Sequence, residues 1–347
     1  MLYSRKQISR AGNTMITSMF KKDVDAAIAM INDWRSNHAY VLDQLKPLLG
    51  NLFENAGIEP LFSSKRLKRM TSIQYKLDLN PEMGLGGMQD IGGLRFVFQD
   101  VYTLERAHEL ILENIPENFT IYKTDDYVNN HPKPSGYRSI HIVYQYSSTD
   151  ERYDGLRVEL QIRTKLQHNW ATAVETAGLT TNTSLKSSQG DSNWLLFFKI
   201  VSCLMAMKEQ KPIIPEFEKH SMEKLMRACF KMDEHYKYTD TLKAIRITVK
   251  SVEEEQYTDD FYLVIIDFEK TVVNVNGFQD SEMEKAFEKY AIEEETAQEG
   301  KKDVVLMSVD NIRDLKEAYP SYFLDTSEFI HVMESIKKNC RSRGWID

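Results

Sequence analysis

Residues 155–170 read GLRVELQIRTKLQHNW, and this stretch decides the fold. Val158, Leu160 and Ile162 alternate with Glu159, Gln161 and Arg163. At a side-chain period of two, the aliphatics enter a core while Glu159 and Arg163 point out together. Taken alone the pattern has two readings: the rim of an active site, or an ordinary half-buried strand with a solvated polar face. Three further segments favour the first.

RLKRMTSIQYK, residues 66–76, crowds Arg66, Lys68, Arg69 and Lys76 around a hydroxyl at Ser72. MQDIGGLRFVF, residues 88–98, runs from Asp90 through Gly92, Gly93 and Arg95 into an apolar strand. KPSGYRSIHIVYQY, residues 133–146, is a Pro/Ser/Gly turn opening onto Tyr137 and a strand. Arg66, Lys68 and Lys76 supply cations for phosphates, and Asp90 and Glu159 supply hard oxygen ligands. Two carboxylates from different strands suffice for Mg2+, which keeps substrate oxygens and water in its shell. Gly92 and Gly93 let a ligand approach the backbone. No Walker-type glycine loop followed by Lys and Ser/Thr is present, so side chains must hold any phosphates.

In this order, and followed by VELQIRT, the segments resemble the synthetase domain of the RelA/SpoT family over about residues 60–178. The resemblance implies an ATP-dependent pyrophosphokinase using Mg2+, with a ribose 3′-hydroxyl as acceptor. It implies that Arg66 and Arg95 sandwich the adenine, which planar guanidinium groups permit. Lys68, Ser72 and Lys76 would hold the ATP phosphates. Asp90 would bind the metal, and Glu159 would bind it or act as base toward the attacking hydroxyl. Tyr137 would stack on the acceptor base, with Lys133, Arg138, His141, Gln161, Arg163 and His168 on that side. For Tyr137 and His141 plain strand packing is the competing reading, and Glu175 could equally orient Arg163. Ser135 stands where many alarmone synthetases have Asn, so the acceptor's identity stays open.

The fold class expected is α+β or α/β: a mixed sheet flanked by helices, with a helical extension and a small carboxy-terminal α+β domain. A helical region spans 1–58, with Val24, Ala27, Ile28, Ile31 and Trp34 on one stripe and a second run near 38–53. The synthetase core spans 59–180, with strands near 94–99, 119–124, 138–146 and 156–163 and a helix near 102–114. Residues 181–240 form a helical extension after the polar loop LKSSQGDSN. Residues 241–347 read as an independent α+β module with three strands, a helix at 281–291, the strand DVVLMSV and two short helices.

The chain has 347 residues, 42% of them hydrophobic, enough for two or three domains with real cores. Its three cysteines are far apart and lack CxxC spacing, which points to a reducing cytoplasm rather than disulfides or zinc. MLYSRKQISRAG lacks an apolar core of the length a signal peptide needs and no run of 18 apolar residues occurs, so neither secretion nor a membrane span is expected. Residues 241–347 hold 14 Lys/Arg against 23 Asp/Glu, a net of −9, which leaves +1 for residues 1–240. Basic clusters at Lys21–Lys22 and Lys65–Arg69 could accept a polyanion, though such clusters are commonly solvated faces.

No His-Asp dipeptide occurs, so the metal-dependent hydrolase of long family members is not expected. YSRKQISRAG and INDWRSNHAY resemble the toxic small-synthetase branch, some of whose CapRel-like members fuse toxin and antitoxin for phage defence. That resemblance implies tRNA as the partner, modified at its 3′ CCA adenosine, with GDP or GTP as the alternative acceptor and a non-catalytic nucleotide sensor as a third reading. It also implies that Tyr319 and Tyr322, in a YxxY spacing, plug the nucleotide pocket until a trigger such as a phage protein binds the tail. Packing at a helix end is the competing reading for those two tyrosines.

Overall fold

The computed structural model describes residues 2–130, 132–181, 191–244, 260–267, 272–297, 302–308 and 325–346. The segment that carries the basic cluster forms strand β1 (Phe62–Leu67) and helix α3 (Met70–Leu79). Ahead of them lie α1 (Arg5–Thr17) and α2 (Lys21–Asn55). The two helical runs expected between residues 22 and 57 are one helix of 35 residues, about 50 Å long. It carries Pro47 in its interior.

Then follow β2 (Gly92–Phe98), α4 (Val101–Glu113), β3 (Phe119–Asp126), β4 (Ile140–Tyr146) and β5 (Arg157–Thr164). Helix α5 (Lys165–Thr181) continues directly from β5. The helical extension consists of α6 (Ser192–Lys208), α7 (Met222–Tyr236) and α8 (Tyr238–Ala244). Its apolar run is buried among helices, and no helix among the described residues is long and apolar enough to cross a membrane. The tail contributes β6 (Phe261–Asp267), β7 (Val272–Phe278), α9 (Met283–Thr296), β8 (Lys302–Ser308) and α10 (Ser327–Ser342); most of the expected strand LKAIRITVKSV, and the stretch 309–324 in which the other expected short helix would fall, lie outside the described residues.

Among the described residues all eight strands form one sheet, in the order β3-β4-β5-β2-β1-β8-β6-β7. Only β2 and β5 run parallel; the other neighbours are antiparallel. The tail strands therefore do not stand apart, because β8 pairs with β1 at Lys65↔Ser308 and Arg66↔Met307. Pairing covers the β1 edge, whose amides and carbonyls would otherwise face solvent.

The pleat sorts the residues. Leu94, Phe96 and Phe98 of β2, Val158, Leu160 and Ile162 of β5 and Ile140, Ile142 and Tyr144 of β4 share one face. They bury against α2 and α4, through Leu42, Leu45, Leu49, Phe53, Leu104 and Ile111. Burying a side chain of this size contributes about 1.5–3 kcal/mol. A second core joins α5, α6, α7, α8 and α10 around Trp170, Phe197, Phe198 and Phe329. The opposite face of the central strands is polar.

Candidate active site

Strand register assembles the site. Directly opposed residues share a face of the sheet, so one row reads Asp125, His141, Gln161, Arg95, Ser64 across β3, β4, β5, β2 and β1. The next row reads Val143, Glu159, Gly93, Arg66. Together they floor a cleft lined by Ser64, Arg66, Lys68, Asp90, Gly93, Leu94, Arg95, Glu159 and Gln161. A Cβ built on Gly93 would meet nothing nearer than the Arg66 carbonyl oxygen at 3.8 Å, so the missing side chain is what keeps this part of the cleft open.

Asp90 ties the basic segment together. Lys68 Nζ donates to Asp90 Oδ2 and Lys76 Nζ to Oδ1, each at 2.9 Å. Burial pushes the Asp90 carboxyl up, but the two ammonium groups outweigh it and hold the carboxyl well below the usual range. Burial likewise pulls Lys68 down, against the opposing pull of Asp90. Ser72 and Lys76 stand one turn apart on α3, which puts hydroxyl and ammonium on the same side of that helix.

A second chain runs beside it. His141 Nδ1 lies 3.0 Å from Glu159 Oε1, and His141 Nε2 lies 2.9 Å from the Tyr137 hydroxyl. Gln161 Nε2 donates to Glu159 Oε2 at 2.5 Å. Burial works against a charged imidazole, yet the Tyr137 hydroxyl and the Glu159 carboxylate raise His141 to about 9. The imidazolium donates from both nitrogens and, despite burial, keeps Glu159 below its ordinary value. Asp90 and Glu159 feel each other's charge across the cleft.

These two carboxylates fit a hard divalent cation such as Mg2+, which takes one or two protein oxygens and completes its shell with phosphate and water. Among the described residues no group of three or more His, Cys, Asp or Glu forms an all-protein metal cage.

Several expected residues are placed differently. Arg163 lies on the same sheet face as Glu159 but is only 3% exposed, because α5 follows β5 at once and covers it. Its Nη2 lies 2.6 Å from Nδ1 of His168, which is itself buried against Phe62. Burial and the nearby Arg95 push Arg163 down to about 9, while Glu175 acts in the opposite sense. Arg138 is turned away from the cleft, donating to the Pro212 carbonyl at 2.6 Å and to Ser202 Oγ at 3.4 Å. Tyr137 packs in the helical core with its hydroxyl held by His141. Tyr319 and Tyr322 lie outside the described residues.

The sequence reading missed Tyr127, the half-buried ring beside Tyr137 and His141, over which Lys133 Nζ stands at 4.2 Å. Burial and the Asp125 carboxylate push its hydroxyl up to about 12. The aromatic after two acids in TDDYVNN was the available signal. The basic cluster is also less open than its charge suggested. Lys65 pairs with Asp43 and Arg69 with Asp303, and the two basic side chains are 14% and 23% exposed.

The match to the region found in RelA / SpoT proteins covers residues 65–180, the stretch from β1 to α5 that builds this cleft. A GTP pyrophosphokinase of Bacillus subtilis, YjbM, is 36% identical over 114 residues, covering 32% of this chain and 53% of that protein. A GTP pyrophosphokinase of Haemophilus influenzae is 33% identical over 133 residues, 38% of this chain and 16% of the relative. The chain thus spans about half the length of one curated relative and a small part of the other. Small alarmone synthetase 1 from Bacillus subtilis superposes with a TM-score of 0.43 at 24% identity, over 50% of this chain and 89% of that one. By sequence match, residues 65–180 belong to the region found in RelA / SpoT proteins.

Proposed function

We propose that the chain is an ATP-dependent pyrophosphokinase that transfers the β,γ-pyrophosphate of ATP to the ribose 3′-hydroxyl of a guanosine nucleotide. The observation that carries this reading is the cleft itself, where Lys68, Asp90 and Lys76 adjoin Glu159 and His141 within a RelA/SpoT synthetase domain. Relatives named GTP pyrophosphokinase support the activity.

Arg66 and Arg95 form the adenine side of the cleft, and Lys68, Ser72 and Lys76 neutralise the phosphates. The 3′-oxygen attacks Pβ, the bond between Pβ and the α,β-bridging oxygen breaks, and AMP leaves. The hydroxyl proton passes to Glu159, which His141 and Gln161 hold ionised and oriented. Mg2+ held by Asp90 would supply charge neutralisation on the transferring group.

A guanosine nucleotide is preferred over tRNA as the acceptor because the relatives are named GTP pyrophosphokinase and because Lys65 and Arg69 are engaged by Asp43 and Asp303, so that of the two basic clusters it is the exposed Lys21–Lys22 pair that a polyanion would have to use. The deciding experiment incubates the full chain with ATP labelled in its terminal phosphates, together with GDP, GTP or deacylated tRNA. Label should appear in the guanosine nucleotide. Label confined to the tRNA 3′ end would instead make the chain a tRNA-modifying toxin, and label in neither would remove the pyrophosphokinase reading.

A further inference from the structure

Helix α3 brings Lys76 to Asp90 at the cleft and carries Ser72 one turn earlier, yet little within the helix itself fixes its N-terminus. It is 10 residues long, its N-cap residue Arg69 makes no side-chain cap, and its first turn contains no acidic residue. Isolated helices of that length are marginal, so its position depends on what the rest of the fold fastens to it.

Its apolar face packs into the main core through Met70, Ile73 and Leu77, and its uncapped N-terminus is fastened by the tail. Glu294 of α9 accepts the Met70 backbone N–H at 2.6 Å, at the first turn of α3, from 224 residues away. The same oxygen accepts the Tyr290 hydroxyl at 2.9 Å, and Arg35 reaches Glu294 Oε2 at 3.3 Å and the Tyr290 oxygen at 2.9 Å. Arg35 and Glu294 are 3% and 8% exposed, so the ion pair is shielded from solvent. Next to it, Asp303 of β8 holds Arg69. A carboxylate at this point satisfies an orphan amide and complements the positive end of the helix dipole.

We propose that Glu294 is a positioning residue for ATP: a tail carboxylate that caps α3 and thereby sets where Ser72 and Lys76 meet the phosphates. This rests on the cleft being the ATP site. The tail is then part of the synthetase's working structure, and its acidity has a defined target. Glu294 touches no substrate and acts through the α3 backbone.

The test measures binding of a non-hydrolysable ATP analogue to the full chain by calorimetry, with steady-state kinetics in both substrates. Glu294→Ala should weaken analogue binding and raise KM for ATP by about tenfold, the scale of one charge-assisted cap, while KM for the guanosine acceptor stays within about twofold. Glu294→Gln keeps an oxygen facing the Met70 amide and should restore most of the loss. Tyr290→Phe keeps the packing and should give a smaller change of the same sign; it serves if Glu294→Ala melts early by circular dichroism. Unchanged ATP affinity in folded variants overturns the proposal, as does an equal rise in both KM values. Tighter ATP binding or faster turnover also overturns it and makes the contact a restraint. Lys68→Ala is the control. If that variant still binds the analogue as wild type does, or wild type binds none, the ATP-site reading itself fails, an outcome distinct from an unaltered Glu294→Ala beside a crippled Lys68→Ala.

Discussion

Glu159 and His141 meet at 3.0 Å across adjacent strands, and each holds the other in its charged form. His141 is raised from 6.5 to about 9, so its contribution to stability is complete below about pH 6.5 and fades as pH climbs through 9. Glu159 is lowered from 4.5, so its contribution is present above that value and fades as pH falls through the lowered one. Melting curves from pH 6 to 10 should show an alkaline loss of stability that His141→Gln flattens. A parallel decline in wild type and variant would assign that loss to other groups.

Asp90 stands between two ammonium groups, those of Lys68 and Lys76, each at 2.9 Å. Asp90→Asn should reduce turnover by about 10²-fold or more, the usual scale for removing a metal ligand or comparable catalytic group. Metal-free binding of ATP should not weaken, because Lys68 and Lys76 are released toward the phosphates. Filter binding in EDTA against turnover in Mg2+ separates the two effects. Equal losses in both assays would mean that the carboxylate mainly holds the lysines in place.

Much of this site could be read from local pattern. The alternation of Val158, Leu160 and Ile162 with Glu159 and Gln161 gave the strand and its faces, because the pleat leaves no other choice once a core exists. Arg163 obeyed the same alternation and still ended up buried. Period tells which face a residue takes, and only the turn into α5 decides what covers that face. Glu294, Tyr290 and Arg35 left no local trace, since their meeting depends on β8 pairing with β1 and bringing α9 against α2. Arg138 has a partner of the same long-range kind, Ser202 from α6.

The aromatic pair on the acceptor side divides its roles by exposure. Tyr137 is 5% exposed and holds His141 through its hydroxyl, whereas Tyr127 is half-buried beneath Lys133. Tyr137→Phe should therefore cost activity by loosening His141 and should lower the alkaline limit of the pH–rate profile. Tyr127→Phe should be mild, and Tyr127→Ala should raise KM for the acceptor by an amount corresponding to roughly 1–3 kcal/mol of base stacking. Tolerance of Tyr127→Ala with an unchanged acceptor KM would leave that ring without a part in recognition.

Adjacent glycines in β2 should respond in opposite ways. Gly92 faces the core, and a Cβ there would stand 3.0 Å from Val158 Cγ1, 3.1 Å from His38 Cβ and 3.3 Å from Leu42 Cδ1. Those neighbours are packed between α2 and the sheet and have little room to give, so Gly92→Ala should lower stability by about 1–3 kcal/mol. Gly93 faces the cleft, where a Cβ meets only the Arg66 carbonyl oxygen at 3.8 Å. Gly93→Ala should keep or slightly raise the melting temperature, since a strand glycine gives up more backbone entropy on folding than alanine. It should also impair ATP use, because the added methyl projects into the space between Arg66 and Glu159. Urea unfolding of both variants beside their KM for ATP checks the pair. A stable Gly93→Ala enzyme with wild-type ATP kinetics would show that nucleotide does not occupy this part of the cleft.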